Sequence, residues 1–322
     1  MLRFLAGLVA VLAVGCTAAV AADAYPARPV RIVATYPPGG LSDVMARLSA
    51  QVLSDALGKP FVVENRPGAS GVTGTDFVAK SAPDGYTLLM GSFGPMTTAP
   101  ALSPGLPYAP LTDLAPIVIM SQVPNVLTVH PSVPVNTVAE LIALAKSRDK
   151  PLSMAISGIG GTTHLLTELF KQRTKVDFLN VPYKGSGPAL NDLMGGQVDV
   201  DFENLPSILP LIKAGRVRAI AVANKRRIPQ LPDVPTLGEA GYPDVEIAAW
   251  HGLLAPAGTP RAIVTLINRT IVAALQKPAM IERLRDMGVE VVASTPEEMQ
   301  AFLAAETVRW TQLIRDAKIT TE

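Results

Sequence analysis

The sequence predicts an α/β protein with two similar lobes, and three observations lead to this fold class. Two stretches repeat one order of short apolar runs, glycine-rich turns and helical spacings. Each stretch alternates strands with helices, which is typical of parallel sheets with right-handed crossovers. Two strand-like segments, 123–130 and 246–255, pass between the stretches. We therefore expect a hinge of two crossings, with lobe one at 23–124 plus roughly 247–322 and lobe two at 125–246.

The first repeat begins with the β-branched run 30–35, a predicted buried strand that ends at the Pro-Pro-Gly-Gly turn 37–40. Apolar residues at helical spacing follow, and Gly58 with Pro60 stops that helix. A second strand, a glycine turn at 67–71, a short helix and a third strand complete the repeat.

The second repeat has the same order, with strands predicted at 152–156, 177–181 and 198–202. Glycine turns at 157–161 and 184–187 each leave a strand and enter a helix. The C-terminal third is predicted to be mostly helical, because its apolar residues recur at helical spacing after capping signals.

Composition narrows the function classes. Of the 322 residues 48% are apolar, and 28 Lys and Arg balance 27 Asp and Glu, so no basic surface for nucleic acid is expected. The single cysteine, Cys16, lies in the leader, and the three histidines are far apart. We expect no disulfide, no metal and no cofactor. Because nucleophile-elbow, Walker and complete dinucleotide motifs are missing, we also expect no enzymatic activity.

The N-terminus is typical of a signal peptide at 1–22, which predicts a periplasmic protein. Arg3 gives the positive start, 5–14 the apolar region and 19–21 the small-residue cleavage site. A membrane anchor is one alternative, since the uncharged run approaches the length of a span. Lipidation at Cys16 is another, although Ala13 stands where a leucine is preferred.

The four glycine turns predict one binding site. Ligands of open α/β sheets bind outside the carboxyl ends of the strands, so facing lobes would bring all four turns to one cleft. The first N–H groups of each helix have no intrahelical acceptor and carry the positive end of the helix dipole. Such ends bind a carboxylate without Arg or Lys. The alternative is that these glycines form ordinary turns.

Polar side chains accompany the turns. The hydroxyl candidates for ligand contact are Ser42, Ser70, Ser92, Ser157, Thr162, Thr163 and Ser186. Each of them is equally well explained as a helix N-cap, and His164 is either a donor or a structural histidine. Alternation places Asp199, Asp201 and Glu203 on one face of a strand. We expect one of the three to line the cleft and take Asp199 as the candidate.

At these turns the sequence resembles the tripartite tricarboxylate transporter receptor family, also called TctC or Bug. The matching segments run in order along nearly the whole mature chain. They are YPARP at 25–29, YPPGGLSD at 36–43, ENRPGASG at 64–71, APDGYTL at 82–88, VHPS at 129–132, VPYKG at 181–185, GGQVD at 195–199, LPDVPT at 231–236 and APAGTP at 255–260.

The resemblance implies a type II periplasmic binding protein fold that closes like a flytrap on an organic acid. Backbone amides and ordered waters would hold one carboxylate of that acid. Carried over by position, the contacts would be Pro38, Gly39, Gly40 and Ser42 from lobe one and Gly160, Thr162 and Thr163 from lobe two, with Lys184, Gly185 and Ser186 nearby. Gly161 and Ser42 stand where the family often has threonines, which leaves the identity of the ligand open.

We therefore expect a monomeric solute-binding protein that captures a small carboxylate and delivers it to the permease subunits of a tripartite transporter. The alternative function is an extracytoplasmic sensor that presents the carboxylate to a signalling partner.

Overall fold

The computed structural model describes residues 25–316 and 318–320, which form two β-sheets covered by helices. The predicted signal peptide and Cys16 lie outside the described residues.

The first lobe starts with three strands, each followed by a turn and a helix. Its elements are β1 Val30–Ala34, α1 Leu41–Leu57, β2 Phe61–Asn65, α2 Val72–Ala79, β3 Thr87–Ser92, α3 Ala99–Leu102 and β4 Leu114–Val123. A 3₁₀ turn at Ala69–Gly71 precedes α2, and a π-helical segment at Gly94–Thr98 precedes α3.

The second lobe repeats this order, and the chain then returns to the first sheet. The elements of the second lobe are β5 Asn125–Val129, α4 Val138–Ser147, β6 Ser153–Ile156, α5 Thr162–Thr174, β7 Leu179–Pro182, α6 Ser186–Met194, β8 Val200–Asn204, α7 Leu205–Lys213 and β9 Arg218–Ala223. The returning elements are β10 Ala249–Pro256, α8 Arg261–Leu275, α9 Pro278–Asp286, β11 Glu290–Val291 and α10 Pro296–Asp316.

The two sheets have the same topology, which confirms the predicted repeat. The first sheet has the order β11-β4-β10-β3-β1-β2 and the second β7-β6-β8-β5-β9. In the first sheet, β1 pairs in parallel with both β2 and β3. In the second sheet, β6 pairs in parallel with both β7 and β8. One antiparallel strand from beyond the repeat follows in each sheet, β10 beside β3 and β5 beside β8. Only β11, at the edge of the first sheet, has no counterpart among the described strands.

The chain changes sheet twice. It leaves β4 through Pro124 to enter β5, and it returns between β9 and β10. Asn125 Nδ2 donates to the carbonyl oxygen of Ile247 at 2.8 Å and so ties the two crossings together. The division of the chain into two domains at these crossings stays a prediction.

Buried aromatic side chains fix the last helix against the first lobe. The ring of Trp310 on α10 meets Phe93 edge-on at 5.5 Å, and Phe302 meets Trp250 of β10 at 5.9 Å. Both tryptophans are fully buried, and burial of one such side chain contributes on the order of 2 kcal/mol or more. Within 25–316 and 318–320, no helix combines the length and apolar character needed to cross a membrane.

Candidate functional site

The first glycine turn of each lobe has the same backbone shape. Gly39 has φ +92° and Gly160 has φ +75°, values that favour glycine. The next glycine is the N-cap of a helix, with φ −78° and ψ 169° at Gly40 and φ −79° and ψ 178° at Gly161. The two lobes therefore present α1 and α5 on equivalent turns at the carboxyl ends of β1 and β6.

The N-termini of these helices keep free amide donors. The first intrahelical bonds run from Val44 N to Gly40 O and from Leu165 N to Gly161 O, both 3.1 Å. The amides just before them therefore have no acceptor inside the helix. Neither N-cap glycine offers a side chain that could satisfy them. Together with the dipole of each helix, these donors favour an anion at both turns.

Two helices away from the glycine turns, α4 and α10, are capped by side chains instead. Glu140 N donates to Thr137 Oγ1 at the start of α4, and Glu298 N donates to Thr295 Oγ1 at the start of α10, both at 3.1 Å. The contrast shows that this chain has capping residues available and does not use them at α1 or α5.

Each first turn is anchored by the side chain four residues further on. Gly39 N donates to Asp43 Oδ2, and Gly160 N donates to His164 Nδ1, each at 3.1 Å. These two amides are thus used within the protein. Both anchoring side chains are 4% exposed, so they shape the turns from beneath.

Asp43 is held as a carboxylate. Burial raises its pKa, but hydrogen bonds from Arg47 Nε, Asn65 Nδ2 and Gly39 N outweigh burial and leave the pKa below its ordinary value. His164 is held neutral, because burial lowers its pKa and its Nδ1 accepts a hydrogen bond. The donor role predicted for His164 cannot come from Nδ1, which acts as an acceptor for its own turn.

The second turns also match between the lobes. Gly71 at φ +96° is the N-cap of α2, and Gly185 at φ +110° is the N-cap of α6; neither helix has a side-chain cap. Ser70 itself has φ +52°, and its carbonyl oxygen accepts a hydrogen bond from Tyr36 Oη at 3.1 Å. This bond joins the first and second turns of lobe one.

Glu203, at the carboxyl end of β8, joins the turns of lobe two. Its carboxylate accepts hydrogen bonds from Ser157 Oγ at 2.7 Å, Ser186 Oγ at 3.0 Å and Asn204 N at 2.7 Å. Two predicted ligand contacts, Ser157 and Ser186, therefore give their hydroxyl protons to Glu203. Each hydroxyl still has lone pairs, but neither proton is directed at a ligand.

Asp201 lies two residues before Glu203 and is also fully buried. Burial raises the pKa of both carboxyl groups, well above the ordinary value at Asp201, where Glu203 adds to the effect. The Asp201 oxygens have no hydrogen-bond partner within the described chain, whereas Glu203 accepts several. Burial thus favours the neutral form more strongly at Asp201 than at Glu203, whose charge is stabilised by hydrogen bonds.

Two of the predicted hydroxyl contacts have an unused donor. Ser42 Oγ and Ser92 Oγ are buried without a hydrogen-bond partner in the described part of the chain. Thr162 and Thr163 occupy the first turn of α5, where Thr162 Oγ1 lies 3.4 Å from Asn125 Oδ1. Pro38 is exposed in the first turn of lobe one.

Two predicted contacts stand apart. Asp199 lies at the amino end of β8, and its Oδ2 accepts from Ser153 N and Ser153 Oγ, both at 2.8 Å, so it faces away from the glycine turns. Lys184 is exposed beside the second turn of lobe two, without an ion pair among the described residues.

Sequence reasoning missed a buried polar row. His251 of β10 lies directly between Ser92 of β3 and Ser121 of β4 in the sheet register. His251 Nδ1 and both hydroxyls lack hydrogen-bond partners within the described residues, and burial lowers the pKa of His251 to about 4. The sequence signal for this row was His251 itself, a polar residue inside the otherwise apolar run 249–256.

The lobes touch beside the glycine turns. Thr98 Oγ1 of lobe one donates to the carbonyl oxygen of Gly160 in lobe two at 2.6 Å. A Cβ atom at Gly160 would lie 3.1 Å from Leu102 Cδ1. This closed contact borders a cavity of about 230 Å³ between the lobes. No group of three or more metal-ligating side chains occurs in the described ranges.

A larger recess, of about 550 Å³, lies at the other end of the first sheet. It includes Arg28, Arg31 and Asp84, near the amino ends of β1 and β3. Its charged groups are paired, with Arg28 bound to Asp84 at 3.1 Å. The recess is therefore separate from the glycine turns.

Known proteins share this sequence and architecture. The model of the tripartite tricarboxylate transporter family receptor, TctC, matches residues 45–319. Protein BugT of Bordetella pertussis (strain Tohama I) is 44% identical over 303 residues, covering 94% of this chain and 93% of that protein.

Two solved structures carry organic acids. The R. palustris protein Rpa4515, solved with adipate, is 41% identical with a TM-score of 0.88, covering 92% of this chain and 99% of that one. MatC (Rpa3494) from Rhodopseudomonas palustris, solved with bound malate, is 34% identical with a TM-score of 0.84, covering 90% and 100%. These likenesses confirm the predicted two-lobed periplasmic-binding-protein fold. The chain belongs to the tripartite tricarboxylate transporter receptor family of solute-binding proteins.

Proposed function

We propose that this chain is a periplasmic receptor that captures a small organic carboxylate between its lobes and delivers it to the permease subunits of a tripartite transporter. In this proposal it acts as a monomer, without catalysis or a cofactor.

The observation that carries the proposal is the pair of matching turns. Gly40 and Gly161 begin helices on opposite lobes, and the first amides of both helices have no acceptor inside the helix. One carboxylate placed between them would accept from both helices at once. A single helix N-terminus stabilises an anion by roughly 0.3–2 kcal/mol. Because the two helices belong to different lobes, both can act on one carboxylate only when the lobes are closed.

The contact between Thr98 and Gly160 supports a closing mechanism. A ligand favours the closed state only as far as it binds that state better than the open one. A carboxylate that bridges α1 and α5 satisfies this condition, because its full set of donors exists only after closure.

The acids bound to Rpa4515 and MatC support an organic acid as the class of ligand. Delivery to a permease rests on membership of the transporter receptor family. Uptake of the bound acid by cells with and without this chain tests delivery. Unchanged uptake, with an altered transcriptional response to the acid, would favour the sensor function instead.

Gly40 offers a clean test of binding. Its φ of −78° suits any residue, and a Cβ there would meet only Pro37 O, at 4.0 Å. Gly40→Leu should therefore fold normally while its side chain blocks the approach to α1. We expect calorimetry to show no binding of hexanoate, adipate or malate, whichever the native chain binds most tightly, and an intermediate loss for Gly40→Ala.

Gly238→Ala is the control, because a Cβ at Gly238 makes only ordinary contacts, the nearest at 3.5 Å from Thr236 Oγ1. It should retain native affinity. Native affinity in Gly40→Leu would contradict the proposed site.

A further inference from the structure

The cavity between the lobes lies beside one glycine turn of each lobe. Gly160, which precedes the N-cap of α5, forms part of its wall from lobe two, and Ser70, which is bonded to Tyr36, forms part from lobe one. A molecule held at the turns by its carboxylate therefore has this space open beside it.

The walls of the cavity carry no ionisable side chain. Apolar atoms come from the side chains of Val72, Ala99, Leu102 and Ile159. The remaining wall residues are small or bear hydroxyls: Ala69, Ser70, Gly94, Thr98, Ser103 and Gly160. The proton of the Thr98 hydroxyl is already donated to Gly160 O.

This lining discriminates between uncharged and charged groups. An apolar group gains free energy when the cavity removes it from water. A carboxylate there would lose its hydration, and the wall offers only hydroxyls and backbone groups in exchange, so its burial costs more than that of an apolar group.

Volume limits the size of the occupant. At about 230 Å³ the cavity is smaller than the roughly 300–1,000 Å³ typical of sites for drug-sized ligands. A short aliphatic chain or a single ring is the matching class of group.

We propose that the ligand is a monocarboxylate whose short, uncharged, apolar end occupies the cavity lined by Val72, Ala99, Leu102 and Ile159. The inference rests on the proposed function, since the glycine turns must hold the carboxylate. It narrows the class of organic acid to one unlike the dicarboxylates adipate and malate of the two solved relatives.

Calorimetric titration with a series of acids tests the inference on the full mature chain. From acetate through propionate and butyrate to hexanoate, affinity should rise about fourfold per methylene until the cavity is full. Adipate is hexanoate with a second carboxylate at the far end, and we expect it to bind at least about tenfold more weakly.

Leu102→Lys tests the same point from the protein side. Leu102 is half-buried at the edge of the cavity, so a lysine can be accommodated with its charge near water. The change should weaken hexanoate and improve the ratio of adipate to hexanoate affinity about tenfold. Leu102→Ala should weaken hexanoate without helping adipate. Val308→Lys, at a 72% exposed position on α10, is the control and should change neither.

The outcomes separate this inference from the proposed function. Tighter binding of adipate than hexanoate by the native chain, or affinity independent of chain length, would overturn the apolar-end inference and leave the carboxylate receptor standing. Failure of every acid to bind a folded chain would overturn both.

Discussion

The two lobes share one backbone design at the cleft, but they stabilise it with different side chains. Gly39 in lobe one and Gly160 in lobe two adopt similar positive φ, and each donates its amide to the side chain four residues on. That side chain is the ionised Asp43 in one lobe and the neutral His164 in the other.

The difference extends beneath the turns. Asp43 is joined to Arg47 and Asn65 near the surface, whereas the turns of lobe two are joined by the fully buried Glu203. The geometry of amide donors is thus the common feature, and the chemistry that supports it is free to vary. We infer that the ligand contacts the backbone of the turns. The anchoring side chains Asp43 and His164 act by positioning that backbone.

The largest expected effect distinguishes the carboxylates that support the turns of the two lobes, Glu203 and Asp43. Glu203→Ala should lower the free energy of unfolding by about 3 kcal/mol, because the half-buried donors of Ser157, Ser186 and Asn204 lose their common acceptor. Asp43→Ala should lower the free energy of unfolding by only about 1 kcal/mol, since the Arg47 side chain is 57% exposed and can be hydrated instead. Urea unfolding measures both. Equal losses would show that the lobes are supported in the same way.

Next in size is a pH effect from the polar row in lobe one. The pKa of His251 is about 4 in the folded chain, against an ordinary value of about 6.5. The unfolded chain therefore binds the proton first as pH falls, and stability that is present above pH 6.5 is lost down to pH 4. The loss is about 3 kcal/mol.

Unfolding of the native chain and of His251→Gln, compared between pH 7 and pH 4, isolates this effect. Other titrating groups, such as Asp201 and His164, contribute to both proteins and cancel in the difference. A difference that does not change with pH would show that His251 is not buried in its neutral form.

A smaller effect tests the contrast between capped and uncapped helices. Thr295→Ala removes the cap of α10 and should lower the free energy of unfolding by about 1 kcal/mol, with ligand affinity unchanged. Thermal unfolding and calorimetry measure the two quantities. Weaker ligand binding would show that the capped helices also take part in the site.

An effect of about the same size concerns the bond between the lobes. Thr98→Val removes the hydrogen bond to Gly160 O and should weaken ligand binding by about 1 kcal/mol, roughly fivefold, because closure loses one contact. Stability of the ligand-free chain in urea should stay within about 0.5 kcal/mol of native. Unchanged affinity would mean that this contact does not contribute to the bound state.

Local patterns were enough to predict the repeat and the glycine turns. Strand length, helical spacing and the need for positive φ at Gly39 and Gly160 are properties of short segments. Alternation also placed Asp201 and Glu203 on one face. It did not place Asp199, because a shared face says nothing about position along the strand, and Asp199 lies at its amino end.

The rest depended on contacts between distant segments. The hydroxyls of Ser157 and Ser186 were predicted to face a ligand, but Glu203 accepts both protons, a pairing across 46 and 17 residues that no local pattern encodes. The polar row around His251 forms only when β10 returns to the first sheet. The contact of Thr98 with Gly160 likewise exists only when the lobes meet.

A crystal structure of the chain with a bound carboxylate is the most direct test of the central claim. We predict both oxygens of one carboxylate within hydrogen-bond distance of backbone amides at the starts of α1 and α5, with no arginine or lysine contact. A carboxylate bound by arginine side chains elsewhere, such as Arg28 and Arg31 in the recess at the far end of the first sheet, would contradict the account.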